Sequence, residues 1–230
     1  MDYGYIDRNV ADVRKRIDEA CQRSRHGVDV TMVAAVKYAD IGQINHLCDA
    51  LGVTDIGENR VQQLLEHYEG LNNKNVNIHF IGTLQTNKVK YIADKVCMIH
   101  SVDSLKLARE IDRQAKKHGR VMDVLVEINS GEEESKSGVA PDEAEALCLA
   151  INELENVNLC GFMTMAPRCD KKEEYLKYFG ETFALALDIW TKKLHNISRP
   201  VLSMGMSESF EEAIECGADT VRIGRTLFAQ

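Results

Sequence analysis

Lys37 closes a run of seven uncharged residues, Val30–Val36. Counted back by twos it shares a face with Ala35 and Val33, while Met32, Ala34 and Val36 share the other. If Val33 points into a barrel, the Lys37 ammonium emerges at its mouth, and small Ala35 leaves room below it for a ligand. A lysine desolvated there is a poor ammonium and a better amine, the form that attacks an aldehyde. The plain alternative is a lysine that snorkels to solvent at a strand end. A second chemical signal comes late in the chain. Ser203-Met204-Gly205-Met206-Ser207 runs directly into a helical segment, Glu208 to Cys216. Ser207 stands at the expected N-cap, so its hydroxyl and the first-turn N–H groups point the same way and suit an anion. Arg222-Ile223-Gly224-Arg225-Thr226 follows, with a second glycine and further backbone donors.

An amine for an aldehyde, opposite a seat for a phosphate, describes pyridoxal 5′-phosphate. Arg222 would then reach the pyridine nitrogen. An arginine takes no proton from that nitrogen, which leaves the ring neutral and a poor electron sink. Other polar residues fall at strand ends. In Ile56-Gly57-Glu58-Asn59-Arg60, Asn59 suits a helix N-cap. His79 sits in an apolar run, where a hydrogen-bonded core histidine is the ordinary reading. Met163 would pack a flat ring, although methionine in an apolar strand is usually filler. The acidic run Glu132–Glu134 reads as a solvated loop, with Lys136 and Gly138 behind it as a lid.

The elements that must position these residues repeat. Short apolar runs occur at Asp29–Val36, Val53–Ile56, Asn77–Ile81, Val96–His100, Met122–Ile128, Leu159–Met163, Val201–Met204 and Thr220–Ile223. Being apolar on both faces, the first predicts a strand of a parallel sheet covered by helices. Helical spacing precedes the first run, from Tyr5 to Ser24, and separates the others at Ile41–Leu51, Arg60–Tyr68, Thr86–Ala93, Leu105–His118, Asp142–Leu154, Glu173–Leu194 and Glu208–Cys216. In the seventh of these, Tyr175, Phe179, Phe183, Leu187, Trp190 and Leu194 form one stripe. Eight strand–helix units after an N-terminal helix predict a single-domain (β/α)8 TIM barrel over 1–230. An open doubly wound sheet would usually carry a glycine-rich turn after its first strand, where this chain reads Lys37-Tyr38-Ala39-Asp40.

Composition agrees. The 230 residues carry 28 Lys+Arg against 36 Asp+Glu, a net charge of −8, which argues against nucleic acid as a partner. A 44% hydrophobic content supports a substantial core, and 3 Pro with 15 Gly leave little room for disorder. The seven cysteines form no C-x-x-C pair, so neither a disulfide framework nor a metal site is expected. No basic-then-apolar leader opens the chain and no apolar stretch approaches about 18 residues. A cytoplasmic protein without membrane contact is expected.

The stretches MVAAVK (32–37), IGENRVQ (56–62), HFIGTLQTNK (79–88), HSVDS (100–104), SGEEESKSG (130–138), GFMTM (161–165), LSMGMSESFEEAI (202–214) and VRIGRTLF (221–228) run nearly the length of the chain. In these it resembles the YggS/PROSC-type pyridoxal-phosphate homeostasis proteins, single-domain barrels similar to the N-terminal domain of alanine racemase. The resemblance implies a cofactor bound covalently to Lys37, with Asn59 near its ring, His79 and Met163 lining the pocket, and Arg222 facing the ring nitrogen. It places Ser203 in the same site. Ser207, Gly224 and Arg225 would hold the phosphate, the last two through backbone N–H groups, and Lys136 would lie in a flexible loop. The family often has Ser or Thr where Val36 stands, an aromatic residue at Ile78, and glycine after Phe228.

The resemblance also implies a non-catalytic carrier in vitamin B6 homeostasis, holding pyridoxal phosphate as a Schiff base and delivering it to apo-enzymes that need it, as a monomer or weak dimer. A racemase-like enzyme is the alternative. It would need a base on each face of a substrate α-carbon, and the resembled racemase takes its second base, a tyrosine, from a further domain that this chain is expected to lack. A sugar-phosphate isomerase or aldolase would use the same lysine and phosphate loops.

Overall fold

The computed structural model describes residues 2–27, 29–131, 137–192 and 199–230. Eight parallel strands close on themselves in chain order. They are β1 (Thr31–Ala35), β2 (Asp55–Glu58), β3 (Asn77–Phe80), β4 (Met98–Val102), β5 (Met122–Ile128), β6 (Val157–Thr164), β7 (Val201–Met206) and β8 (Thr220–Ile223). Outside lie α1 (Gly4–Arg23), α2 (Ile41–Asp49), α3 (Val61–Gly70), α4 (Leu105–Lys117), α5 (Ala144–Asn152), α6 (Lys172–Thr191), α7 (Phe210–Glu215) and α8 (Arg225–Phe228). This is the expected (β/α)8 barrel with an extra N-terminal helix.

Two apolar layers hold it together. The larger fills the space between strands and helices, and takes in Ile56, Phe80, Ile99, Phe162 and Ile223 from the sheet. The smaller lies inside the barrel, where Leu125, Cys160 and Met163 are packed by Met98, Met165 and Val201. Alternation along β6 explains the division: Phe162 meets Trp190 of α6 edge-on at 6.2 Å, and its neighbour Met163 belongs to the inner layer. α1 buries Ile6, Val10, Val13, Ile17 and Ala20, the spacing expected of it. Its polar side is tied to the end of the chain by Arg16 on Glu211 (2.9 Å) and Asn9 on the Ala229 carbonyl (2.8 Å).

Two expectations change. The helix expected over Thr86–Ala93 is a 3-10 turn, Thr86–Tyr91, in which Val89 is buried, while the buried Ile92 and Ala93 lie just beyond it. The α6 stripe is rotated: Phe179, Thr182, Ala186, Ile189 and Trp190 are buried, while Phe183 is half-buried at the edge of the same core, its ring tilted against His26 at 4.5 Å. Thr182 is tolerated there because its hydroxyl donates to the Tyr178 carbonyl at 3.0 Å. Leu194, expected to extend the stripe, lies outside the described residues. Among the described residues no helix is long and apolar enough to cross a membrane, and no group of three His, Cys, Asp or Glu could hold a metal.

Candidate functional site

Lys37 stands two residues beyond the end of β1. The ladder stops at Val36, whose N–H donates to the Gly57 carbonyl at 3.0 Å, and the chain then turns, with Ala39 N–H on the Val36 carbonyl at 2.9 Å. That turn lifts Lys37 off the wall. The expected desolvated amine is instead exposed, its Nζ 4.7 Å from the centre of the Tyr38 ring. Val33 does point inward: a Cβ built on Gly57 would lie 2.9 Å from Val33 Cγ1 and 2.7 Å from Ile81 Cδ1.

β8 pairs with β1, Ala34 opposite Ile223. The loop after β8 therefore lies beside the Lys37 strand, not opposite it as the sequence reading had it. The β7–β8 register slips between Ser203 and Met206, a bulge whose Gly205 has φ +87. A Cβ on Gly205 would come within 2.6 Å of Ala213 Cβ, so the backbone needs glycine there. The bulge moves the helix start. Ser209, not Ser207, occupies the N-cap of α7, and its hydroxyl accepts from Met206 N–H at 3.3 Å. Ser207 turns to β8, its Oγ accepting from the N–H groups of Gly224 at 3.3 Å and Thr226 at 3.4 Å. Thr226, grouped with this loop in the sequence, thus supplies the second N–H at the Ser207 oxygen. The Arg225 side chain pairs with Glu208 at 2.9 Å, both exposed.

Arg222 is buried on β8. One terminal nitrogen donates to the Ser203 carbonyl and to Ser203 Oγ, both at 2.6 Å, and the other to the Thr164 carbonyl at 2.8 Å. Those bonds use three of the five guanidinium N–H groups and leave two for a ligand. Burial lowers its pKa to about 10, against the pull of Glu127, so it stays charged at neutral pH. Glu127 is buried too. Burial raises its carboxyl pKa, against the Ser137 hydroxyl bond at 2.7 Å and the Arg222 charge, with Asp103 pushing it further up.

His79 lies in the barrel interior with both ring nitrogens engaged, Nε2 with Asp55 at 2.9 Å and Nδ1 with His100 at 2.9 Å. Both ring nitrogens are thus engaged within the protein, so His79 can face a ligand only through its ring carbons. His100 reaches Ser203 Oγ at 3.0 Å. Asp55, His100 and Thr164 were not singled out in the sequence; a polar residue in an apolar strand run was the available signal. Asn59 is not a cap: Arg60 holds the N-cap of α3, and the buried Asn59 Oδ1 has no hydrogen-bond partner. Met163 is fully buried in the inner layer. Lys136 lies outside the described residues.

A closed eight-strand barrel with a buried arginine on its last strand and backbone donors at the ends of β7 and β8 defines a class. Residues 6–230 match the family described as alanine racemase, N-terminal domain. Within it the chain belongs to the family of pyridoxal phosphate homeostasis proteins. It is 41% identical over 218 residues to the protein so named from Aquifex aeolicus, covering 95% of each chain. It is 35% identical to that of Pseudomonas aeruginosa, covering 97% of this chain and 94% of the other. PipY of Synechococcus elongatus, solved with pyridoxal phosphate bound, superposes with a TM-score of 0.84 at 26% identity over 97% of this chain and 100% of PipY.

Proposed function

We propose that this protein binds pyridoxal 5′-phosphate at the C-terminal mouth of the barrel and holds it for cellular vitamin B6 homeostasis, without turning over a substrate. The observation that carries the reading is the corner where Ser207 Oγ and the N–H groups of Gly224 and Thr226 converge beside the strand that leads to Lys37. Its hydrogen bonds are long, 3.3 and 3.4 Å, so the donors are only weakly satisfied and suit a phosphate oxygen. The orphaned Asn59 Oδ1 is a second unfilled polar site on the same rim. The cofactor supplies an aldehyde that an amine can capture, and Lys37 Nζ is the accessible amine next to the phosphate corner. Arg222 would donate toward the ring nitrogen and keep it unprotonated. Ser207, Gly224 and the N–H at Thr226 would hold the phosphate, and Met163 would floor the site.

Residues 1–230 would then form one cofactor-binding domain of the cytoplasm. Its recipients would be apo-enzymes that require the cofactor. A carrier reading is favoured by Tyr38, which is 71% exposed with its ring beneath the Lys37 ammonium and so is not aimed at a substrate in the barrel. Borohydride reduction followed by peptide mass spectrometry should find the pyridoxyl group on Lys37. The loaded protein, incubated with amino acids in deuterated water, should exchange α-protons no faster than free cofactor. A pyridoxyl group on another lysine, or exchange well above that background, overturns the reading.

A further inference from the structure

Five side chains form one hydrogen-bonded file through the barrel. Asp55, the first residue of β2, opens it at the N-terminal end, where with Arg14, Asp18 and Thr54 it lines a cavity of about 350 Å³. From there the links run Asp55 Oδ1 to His79 Nε2 (2.9 Å), His79 Nδ1 to His100 Nε2 (2.9 Å), His100 Nδ1 to Ser203 Oγ (3.0 Å) and Ser203 Oγ to Arg222 (2.6 Å). The elements involved are β2, β3, β4, β7 and β8, so the file crosses the interior rather than following one strand.

With both rings uncharged, the donor inventory allows one orientation. The Asp55 carboxylate only accepts and the Arg222 guanidinium only donates, and with these two ends fixed Ser203 Oγ accepts from Arg222 and gives its own hydrogen to His100 Nδ1. His100 must then carry its hydrogen on Nε2 and donate to His79 Nδ1. His79 in turn donates from Nε2 to the Asp55 carboxylate, which only accepts. Every link points from the cation to the anion, so the dipoles reinforce one another. Asp55 is suited to its end: burial raises its pKa, but hydrogen bonds from His79, Thr54 and Asn77 more than offset this and hold it ionised. Among the described residues Glu127 also faces Arg222.

We infer that Asp55, His79, His100 and Ser203 are positioning residues, a one-way file that sets the orientation of the Arg222 guanidinium and, through it, the hydrogen bond offered to the ring nitrogen of the bound cofactor. This rests on the reading that pyridoxal phosphate occupies the mouth. Each of the four acts through the hydrogen bond that it makes to the next member of the file.

Two measurements separate the file from that reading. In the cofactor-free full chain labelled with ¹⁵N-histidine, two-bond proton–nitrogen NMR should show His79 and His100 as neutral Nε2–H tautomers. Ser203→Ala should remove the hydrogen bond at His100 Nδ1 and move that nitrogen's resonance, and Ser203→Thr should restore it. In the chain loaded with ring-¹⁵N pyridoxal phosphate, Ser203→Ala and Asp55→Asn should both move the ring-nitrogen resonance while the cofactor stays attached to Lys37, with Ser203→Thr again restoring it. An Nδ1–H tautomer at His100, a doubly protonated His79, or a ring-nitrogen resonance identical in parent and variants overturns the inference. Should Ser203→Ala not fold, Asp55→Asn decides the same point from the far end. A chain that takes up no cofactor removes the functional reading alone, because the tautomers in the free protein still decide the file.

Discussion

Gly224 lies against Ala35: a Cβ built on it would sit 3.1 Å from the Ala35 carbonyl oxygen and 3.3 Å from Ala35 Cβ. The last strand and the first are thus pressed together at the corner where the phosphate donors meet the turn carrying Lys37. Only closure of the barrel makes those two ends of the chain neighbours.

That contact makes Gly224→Val a direct probe. The side chain has no room without moving β1 or the N–H of residue 224, so affinity for pyridoxal phosphate should fall by at least about tenfold, or about 1.4 kcal/mol. Absorbance titration checks this; an unchanged Kd would detach the loop from the cofactor.

Lys37 is exposed, with its Nζ over the Tyr38 ring. Lys37→Ala should therefore change stability by no more than about 0.5 kcal/mol. It should still bind the cofactor weakly through the phosphate donors and lose the borohydride-fixed product. Denaturant melts and mass spectrometry read the two effects separately, and retention of the fixed product would move the attachment elsewhere.

Arg222→Glu would set a buried carboxylate against the carbonyl oxygens of Ser203 and Thr164, the present acceptors of Arg222. Beside Glu127 it would be a second buried carboxyl. A loss of about 3–5 kcal/mol is expected. Urea unfolding should show it, and a variant as stable as the parent would contradict the burial of this site.

His100 is held well below the ordinary histidine range by burial, with repulsion from the Arg222 charge added. The folded protein keeps it uncharged while the unfolded chain takes up a proton, so stability falls as the pH drops below about 6.5. His100→Gln should lower stability at neutral pH by about 1–3 kcal/mol through lost hydrogen bonds. It should also flatten the decline between about pH 6.5 and 5. An equally steep decline in the variant assigns the acid sensitivity to another group.

Much of the scaffold is legible without coordinates. β5 and β8 end where the runs Met122–Ile128 and Thr220–Ile223 end, because strands buried on both faces read as near-continuous apolar runs, broken here by the buried Glu127 and Arg222. β4 begins two residues later than Val96, since Val96 and Cys97 are partly spent in the approach to the barrel, with Cys97 N–H already on the Ile78 carbonyl at 2.8 Å. The polar residues after the first, seventh and eighth strands marked the rim, as strand ends must in this architecture.

Determined by the sequence alone were the number and order of the strand–helix units and the residue types at their ends, because both follow from local periodicity. Tertiary structure decided the rest. Hydrogen-bond closure between β1 and β8 put Lys37 beside the phosphate corner instead of across from it. The bulge at Gly205 moved the α7 cap to Ser209 and freed Ser207 to face β8. Inward alternation on four other strands brought Asp55, His79, His100 and Ser203 into line with Arg222. No periodicity encodes such a file, since its members lie on different strands and meet only through the shear of a closed sheet.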